Sequence, residues 1–136
     1  MRATVVGLAA IAAGCGLNVQ APDLFLLTRT GQGGRLTLLV NDAGTVSCNG
    51  ARARALPNPL LLAARDLASA LNGDAKANLR IAPAPNSVYR YTIKLQPGTV
   101  SFPDTATASG RHPVLAQAEL FTVQTAQQVC GLGGEG

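Results

Sequence analysis

Three segments in the first half of the chain have the apolar and polar pattern that is typical of β-strands. They are residues 24–30, 35–41 and 45–49. Glycines at positions 31, 33 and 34 and the turn-forming residues 41–44 separate them. Because side chains alternate between the two faces of a strand, Cys48 is expected on the apolar side of the third segment. The pattern predicts an antiparallel meander.

Apolar residues at intervals of three and four then predict a helix over residues 59–71. We expect the side chain of Asn58 to cap its first turn. Pro59 suits the first helical position, because the N–H that proline lacks would have no partner there. Asn72 and Gly73 form a stop signal at the other end.

Two more strands and a second helix are predicted in the rest of the chain. The strands are residues 88–95 and 99–102. Between them, Pro97 and Gly98 suit a type II turn in which the glycine takes a positive φ. Apolar residues at helical spacing predict a last helix that begins near Pro113 and ends at Cys130. Residues 74–87 have no pattern strong enough to assign and are expected to form a loop.

This order of elements predicts an α+β fold, β-β-β-α-β-β-α. We expect an antiparallel sheet of about five strands with two helices packed on one face. Residues 23–131 are expected to form a single domain with one modest core. Residues 132–136 are mostly glycine and are expected to be a flexible tail.

The N-terminus has the layout of a secretory signal. Arg2 precedes an apolar stretch that ends in small residues before Cys15, and this stretch is shorter than the roughly 20 residues that span a bilayer. Residues 12–15 (AAGC) resemble the lipobox of bacterial lipoproteins. The resemblance implies a signal peptide at residues 1–14, a lipidated Cys15, a tether through residue 22 and anchoring on the extracytoplasmic side of the cell membrane. An ordinary cleaved signal, with no special role for Cys15, is the alternative.

The predicted export also indicates what the other two cysteines do. Once Cys15 carries lipid, Cys48 and Cys130 remain in an oxidising compartment and are expected to form a disulfide. A closed loop of about 82 residues should stabilise the fold by roughly 4 to 5 kcal/mol. A zinc site is the competing use, but two thiols and the distant His112 do not supply four clustered ligands. We expect no metal and no cofactor.

The charge pattern speaks against nucleic acid as a partner. The formal net charge of the whole chain is +4, and the 11 lysines and arginines are scattered along it. A nucleic-acid-binding protein would cluster its basic residues with stacking aromatic residues. The positive charge fits a weak attraction to anionic lipid headgroups equally well.

The sequence contains no recognisable catalytic constellation, and we expect no enzyme. His112 is the only histidine, and its neighbour Pro113 places it in the loop before the last helix. Ser101 and Ser109 lack the G-x-S-x-G motif of serine hydrolases. The glycines at positions 31–34 lack the lysine and hydroxyl residue of a phosphate-binding loop.

Several features together resemble one known family. They are Arg29, Gly31 and Gly34 at the end of the first strand, Tyr89 and Tyr91 in the fourth, the turn at Pro97 and Gly98, and the terminal helix. This outline resembles the emfourin-like family of small exported or secreted proteins, which inhibit thermolysin-type metalloproteases. The loop at residues 74–87, the expected disulfide and the lipid anchor depart from that family. The chain is also similar to uncharacterised actinobacterial lipoproteins, which implies a location only.

Two functions from different classes follow. The first is a membrane-anchored, non-enzymatic binding or interaction module, with an extracellular protease as one candidate partner and a monomer as the expected state. Its candidate interaction residues are Arg29, Gly31, Gly33, Gly34, Arg35, Arg52 and Arg54, because loops carry much of the binding in proteins. The alternative is an envelope lipoprotein that binds a small apolar ligand or lipid between the sheet and the helices.

Overall fold

The structure, a computed structural model, describes residues 19–20, 22–108 and 110–132. The predicted signal peptide, the Cys15 that is predicted to carry lipid, and parts of the predicted tether and tail lie outside these residues. Predictions about export and lipid attachment therefore stay predictions. In the described ranges, no helix combines the length and the apolar character needed to cross a membrane.

One antiparallel sheet and three α-helices make up the described chain, which confirms the predicted α+β class. The strands are β1 (Asp23–Gly31), β2 (Gly34–Asn41), β3 (Thr45–Cys48), β4 (Arg54–Ala55), β5 (Tyr89–Lys94) and β6 (Thr99–Pro103). The helices are α1 (Asn58–Ala70), α2 (Asn72–Lys76) and α3 (Pro113–Gln128). A 3-10 turn, Asp104–Thr107, lies between β6 and α3.

The strands are ordered β4-β3-β2-β1-β5-β6, and each is antiparallel to its neighbours. The central strand β1 pairs with β2 and β5, so that Leu27 lies opposite both Leu38 and Ile93. After β4 the chain passes through α1 and α2 and returns as β5 on the other side of β1. The helices are therefore part of the connection that crosses the sheet.

The sheet has one face that packs against the helices, called here the covered face. Strand register places a set of almost fully buried apolar side chains on it. They are Phe25, Leu27, Leu36, Leu38, Val40, Val46, Tyr91, Ile93, Val100 and Phe102. Leu60 and Leu67 of α1 and Phe121 of α3 complete the same cluster. Because each large buried apolar side chain stabilises the fold by about 1.5 to 3 kcal/mol, this interface is the main source of stability.

Two aromatic pairs pack on the covered face, one between the sheet and the last helix and one within the sheet. The rings of Phe25 and Phe121 meet edge to face, with their centroids 5.7 Å apart. On the β5–β6 side, Tyr91 and Phe102 stack with their centroids 5.1 Å apart. Such pairs contribute roughly 0.5 to 1.5 kcal/mol beyond the burial of their surface.

Three local expectations are corrected by the structure. The sheet has six strands among the described residues rather than about five, because β4, only two residues long, pairs with β3 and is too short to show a periodic pattern. The described residues form three α-helices rather than two, because Asn72 and Gly73 begin α2 instead of ending helical structure. Asn58 does not cap α1. It is the first helical residue, it follows Pro57, and no side chain caps that end.

Gly98 and residues 74–87 also differ from expectation. Gly98 does not take a positive φ. A Cβ at this position would collide with the carbonyl oxygen of Ala75, so the glycine lets α2 approach the turn closely. Residues 74–87 include most of α2 and a short bridge to β6, in which Ser101 exchanges backbone hydrogen bonds of 2.9 Å with Leu79 and Ile81.

The predicted disulfide is present and joins the two layers. Cys48 and Cys130 are bonded, with their Cα atoms 5.8 Å apart. The bond ties the end of β3 to the residues just after α3. Nearby, Nη1 of Arg54 donates a hydrogen bond of 2.8 Å to the carbonyl oxygen of Val129. The C-terminal end of α3 is therefore held at the β3–β4 edge of the sheet.

We predict that replacing both Cys48 and Cys130 by alanine lowers the free energy of unfolding by about 4 kcal/mol, because the bond closes a long loop in the unfolded chain. Equilibrium urea unfolding should show this loss. The unchanged chain should match the double variant once a reductant is added. Equal stability of the oxidised and reduced chains would contradict the prediction.

Candidate functional site

The sheet face that points away from the helices, called here the open face, carries polar side chains in cross-strand rows. One row, read from β6 to β2, consists of Ser101, Thr92, Thr28 and Thr37. In a second row Thr30 lies between Arg90 on β5 and Arg35 on β2. Neighbouring strands are about 4.8 Å apart, so a ligand that spans the strands can contact hydroxyls and cations together.

A groove of about 510 Å³ occupies the middle of the open face. It is lined by Leu26, Thr28, Thr30, Arg35, Thr37, Thr92 and Lys94. Four of these side chains are threonine hydroxyls, which can donate or accept hydrogen bonds, and two are cations. Leu26 is the one apolar member. This lining suits a polar ligand that carries hydroxyl or anionic groups.

Four cations surround or line the groove. Arg35 and Lys94 are exposed and line it directly. Arg90 lies across from Thr30, and Arg80 lies beside β6, opposite Ser101. In the part of the chain that the structure describes, none of these four cations forms an ion pair.

Two acidic residues close to this surface are already engaged. Asp23 lies at its rim, where the Oδ1 atom accepts a hydrogen bond of 3.1 Å from Nδ2 of Asn41. Asp42, in the turn after β2, forms an ion pair of 2.7 Å with Arg65 of α1. The open face therefore carries positive charges that form no ion pair within the described chain.

Arg90 shows the electrostatic consequence of this arrangement. Burial and the positive charge of Arg80 lower the pKa of Arg90. Its Nη1 and Nη2 atoms are buried and have no hydrogen-bond partner in the described chain. Because the positive charges of Arg80 and Arg90 act on each other, a bound anion near both would be stabilising.

The glycines predicted as interaction residues form the β1–β2 hairpin. Gly33 and Gly34 have φ values of +87° and +107°, which glycine adopts at little cost. At Gly31 a Cβ would collide with the carbonyl oxygen of Val88. Turn geometry and close packing therefore account for these glycines. The hairpin is exposed, and it continues directly into Arg35.

The structure separates the arginines that were predicted to act together. Arg29 lies on the covered face, 4.7 Å from the centre of the Tyr89 ring, and hydrogen-bonds the side chain of Tyr91. Arg54 is bound to α3 as described above. Arg52 is exposed in the segment between β3 and β4. Of the predicted cations, Arg35 alone lines the groove.

Sequence reasoning missed Arg80, Arg90 and Lys94 as candidates. The alternation of β5 does place Arg90, Thr92 and Lys94 on one polar face, and that signal was visible. However, only the pairing of β5 with β1, across a long connection, brings these residues beside Thr28 and Thr30. Scattered basic residues in the sequence thus become neighbours in the sheet.

A second polar cluster lies between α3 and the 3-10 turn. Glu119 hydrogen-bonds Thr107, and the carboxylate of Asp104 is nearby. Burial and the charge of Asp104 raise the pKa of Glu119 to about 7, although the bond to Thr107 opposes this shift. Burial, followed by the charge of Glu119, also raises the pKa of Tyr91 to about 12. The Oε2 atom of Glu119 is buried without a hydrogen-bond partner.

The other surfaces of the described chain bring together fewer charged and hydroxyl groups. A cleft of about 220 Å³ lies between α1 and α3, with Leu67 and Phe121 at its base and Gln117, Leu120 and Gln124 along one side. Within the described ranges, no group of three or more histidine, cysteine or acidic residues is placed to hold a metal ion. His112 immediately precedes α3, as expected.

No family model, curated protein or solved structure matches the chain. The resemblance to emfourin-like inhibitors stays a prediction that rests on the residues quoted for it.

We predict that the stability of the fold depends on the protonation of Glu119. The unfolded state loses the proton near the ordinary pKa of 4.5, whereas the folded state keeps it up to about 7. Between these values the folded state binds more protons, so the free energy of unfolding should fall as the pH rises, on the order of 1 to 2 kcal/mol.

Urea unfolding of the wild type and of Glu119→Gln at pH 5, 6, 7 and 8 tests this prediction. The variant should lose the part of the pH dependence that belongs to this carboxyl. Asp66→Asn, on the exposed side of α1, is a matched control that should keep it. Parallel curves for the wild type and Glu119→Gln would contradict the prediction.

Proposed function

We propose that this chain is a lipid-anchored, extracytoplasmic binding protein without enzymatic activity, and that the groove on the open face is its binding surface. One observation carries the proposal: the groove is lined by hydroxyls and cations that find no charge partner within the described domain. Because no carboxylate of the described chain forms an ion pair with these cations, they are available to an anionic ligand.

The position of the groove relative to the proposed anchor supports this role. Cys15 precedes β1 by eight residues, counting from 15 to 23. The nine residues of β1 extend about 30 Å. The end of the groove that contains Thr30 and Arg35 thus lies at the far end of β1 from the entry of the chain, where a partner away from the anchor can reach it.

Inhibition of a protease remains the second candidate. The observation that favours it is the exposed β1–β2 hairpin, a short projecting turn next to Arg35 that an extracellular protease could contact. Binding of an apolar ligand between the layers has less support, because large apolar side chains fill the covered face.

We predict that Cys15 carries the membrane anchor. When the full chain is expressed in a bacterial host, its intact mass should include a diacylglycerol group on Cys15, and the protein should fractionate with membranes. Cys15→Ala should lack this mass and leave the membrane fraction, because the polypeptide then has no acyl chains to insert. Membrane retention of Cys15→Ala would contradict the proposed anchor.

We predict that the groove is occupied in the cell envelope. In Thr30→Cys the new thiol lies in the groove, whereas in Gln117→Cys it lies on the outer side of the helices. Alkylation of the Thr30→Cys thiol by a maleimide should be slower in intact cells than in the purified protein, because a bound partner shields it. The rate for Gln117→Cys should be the same in both.

Two results would count against the groove as the binding surface. One is equal alkylation of Thr30→Cys in cells and in the purified protein. The other is selective protection of Gln117→Cys, which would move the interaction to the helical side.

A further inference from the structure

We propose that the groove binds a chain of acidic polysaccharide. The carboxylate, sulfate or phosphate groups of this chain pair with Arg35, Lys94 and the Arg80–Arg90 pair, and its hydroxyl groups hydrogen-bond the threonines. This inference rests on the proposed function, because it names the ligand of the same groove.

The shape of the polar surface favours an extended ligand. Within the groove, the hydroxyl row of Thr92, Thr28 and Thr37 crosses three strands, which corresponds to about 10 Å. Arg35 and Arg90 flank Thr30 on either side. Lys94 lies four residues farther along β5, about 13 Å from Arg90. A single small anion cannot use this whole surface, whereas a linear chain with repeated anionic and hydroxyl groups can.

The charges favour oxyanions in particular. Three of the four cations are arginines, whose planar guanidinium groups match carboxylate, sulfate and phosphate oxygens with paired hydrogen bonds. Arg80 and Arg90 are close enough to repel each other, and no carboxylate of the described chain pairs with either. Binding of an oxyanion would remove this repulsion.

Two other polyanionic partners fit less well. Stacking on aromatic rings is the usual contact with single-stranded nucleic acid, and the open face provides none. All five aromatic residues of the chain belong to the covered side: Phe25, Tyr89, Tyr91, Phe102 and Phe121. An anionic bilayer is flat, so its headgroups would meet the rim of the groove rather than enter it.

Direct binding to defined polymers tests the proposal. The full chain, kept in neutral detergent micelles, is titrated with dextran sulfate, polygalacturonate and uncharged dextran. Both anionic polymers should bind. Their affinity should fall as the concentration of sodium chloride is raised, because binding releases counterions from the polymer and added salt makes this release less favourable. Uncharged dextran should not bind measurably. Failure of both anionic polymers to bind would overturn the proposal.

Paired variants locate the site. Arg35→Ala with Lys94→Ala should weaken the binding of dextran sulfate at least about tenfold, because two groove cations are lost. Arg52→Ala with Lys76→Ala is the matched control. It removes the same charge from exposed positions outside the groove and should change the affinity less than about twofold. Urea unfolding checks that both double variants are folded. An equal loss in the two would show non-specific charge attraction and overturn the proposal.

Two further arms address the competing partners. Oligothymidylate, or vesicles rich in phosphatidylglycerol, should bind more weakly than the acidic polysaccharides at the same salt concentration. Tighter binding of either would overturn the proposal in favour of that partner.

Failure of this proposal and failure of the proposed function give different results. If Thr30→Cys is shielded in cells but no polysaccharide binds, the groove has a different ligand. If Thr30→Cys is unshielded, the groove itself is not the site.

Discussion

The structure depends on one packing constraint: a single helical layer covers only one face of the sheet. Phe25 and Leu27 of β1 form the centre of that interface, and Phe121 packs against the former from α3. Because the backbone of a strand sends alternate side chains to opposite faces, burying one face necessarily presents the other to solvent. The disulfide between Cys48 and Cys130 holds the helical layer in place at the β3–β4 edge. The open face is therefore a direct consequence of how the core is built.

Not every polar residue on the open face indicates a ligand. Threonine has a branched Cβ and favours strands whatever its function, so the hydroxyl row alone would be an ordinary exposed sheet surface. The cations carry the functional argument. Cross-strand neighbours of opposite charge stabilise a sheet, yet here Thr30 separates Arg90 from Arg35 and no acidic residue is interleaved. A surface selected for folding alone would gain from carboxylates at these positions, and their absence from the groove favours an anionic partner.

The two polar regions of the domain lie close to each other in the fold. Pro103 is the partner of Arg90 in the sheet, and the next residue, Asp104, belongs to the cluster around Glu119. The carboxylate of Asp104 also accepts the backbone N–H of Val88 at 3.0 Å, just before β5 begins. Glu119 thus titrates beside the segment that leads into the strand bearing Arg90.

Much of this fold is encoded locally. The period-two pattern in residues 35–41 and 88–95, the helical spacing of α1 and α3, and the number of cysteines were enough to predict the sheet, the two long helices and the disulfide. Short elements were not predictable, because β4 has only two residues and Gly98 owes its identity to a carbonyl of α2 that is distant in sequence. The proposed binding surface was not predictable for the same reason. Arg80, Arg90 and Lys94 are separated in sequence from Arg35, and only the pairing of β5 with β1 places them around one groove. Local patterns thus determined which residues face outward, and long-range strand pairing decided which of them meet.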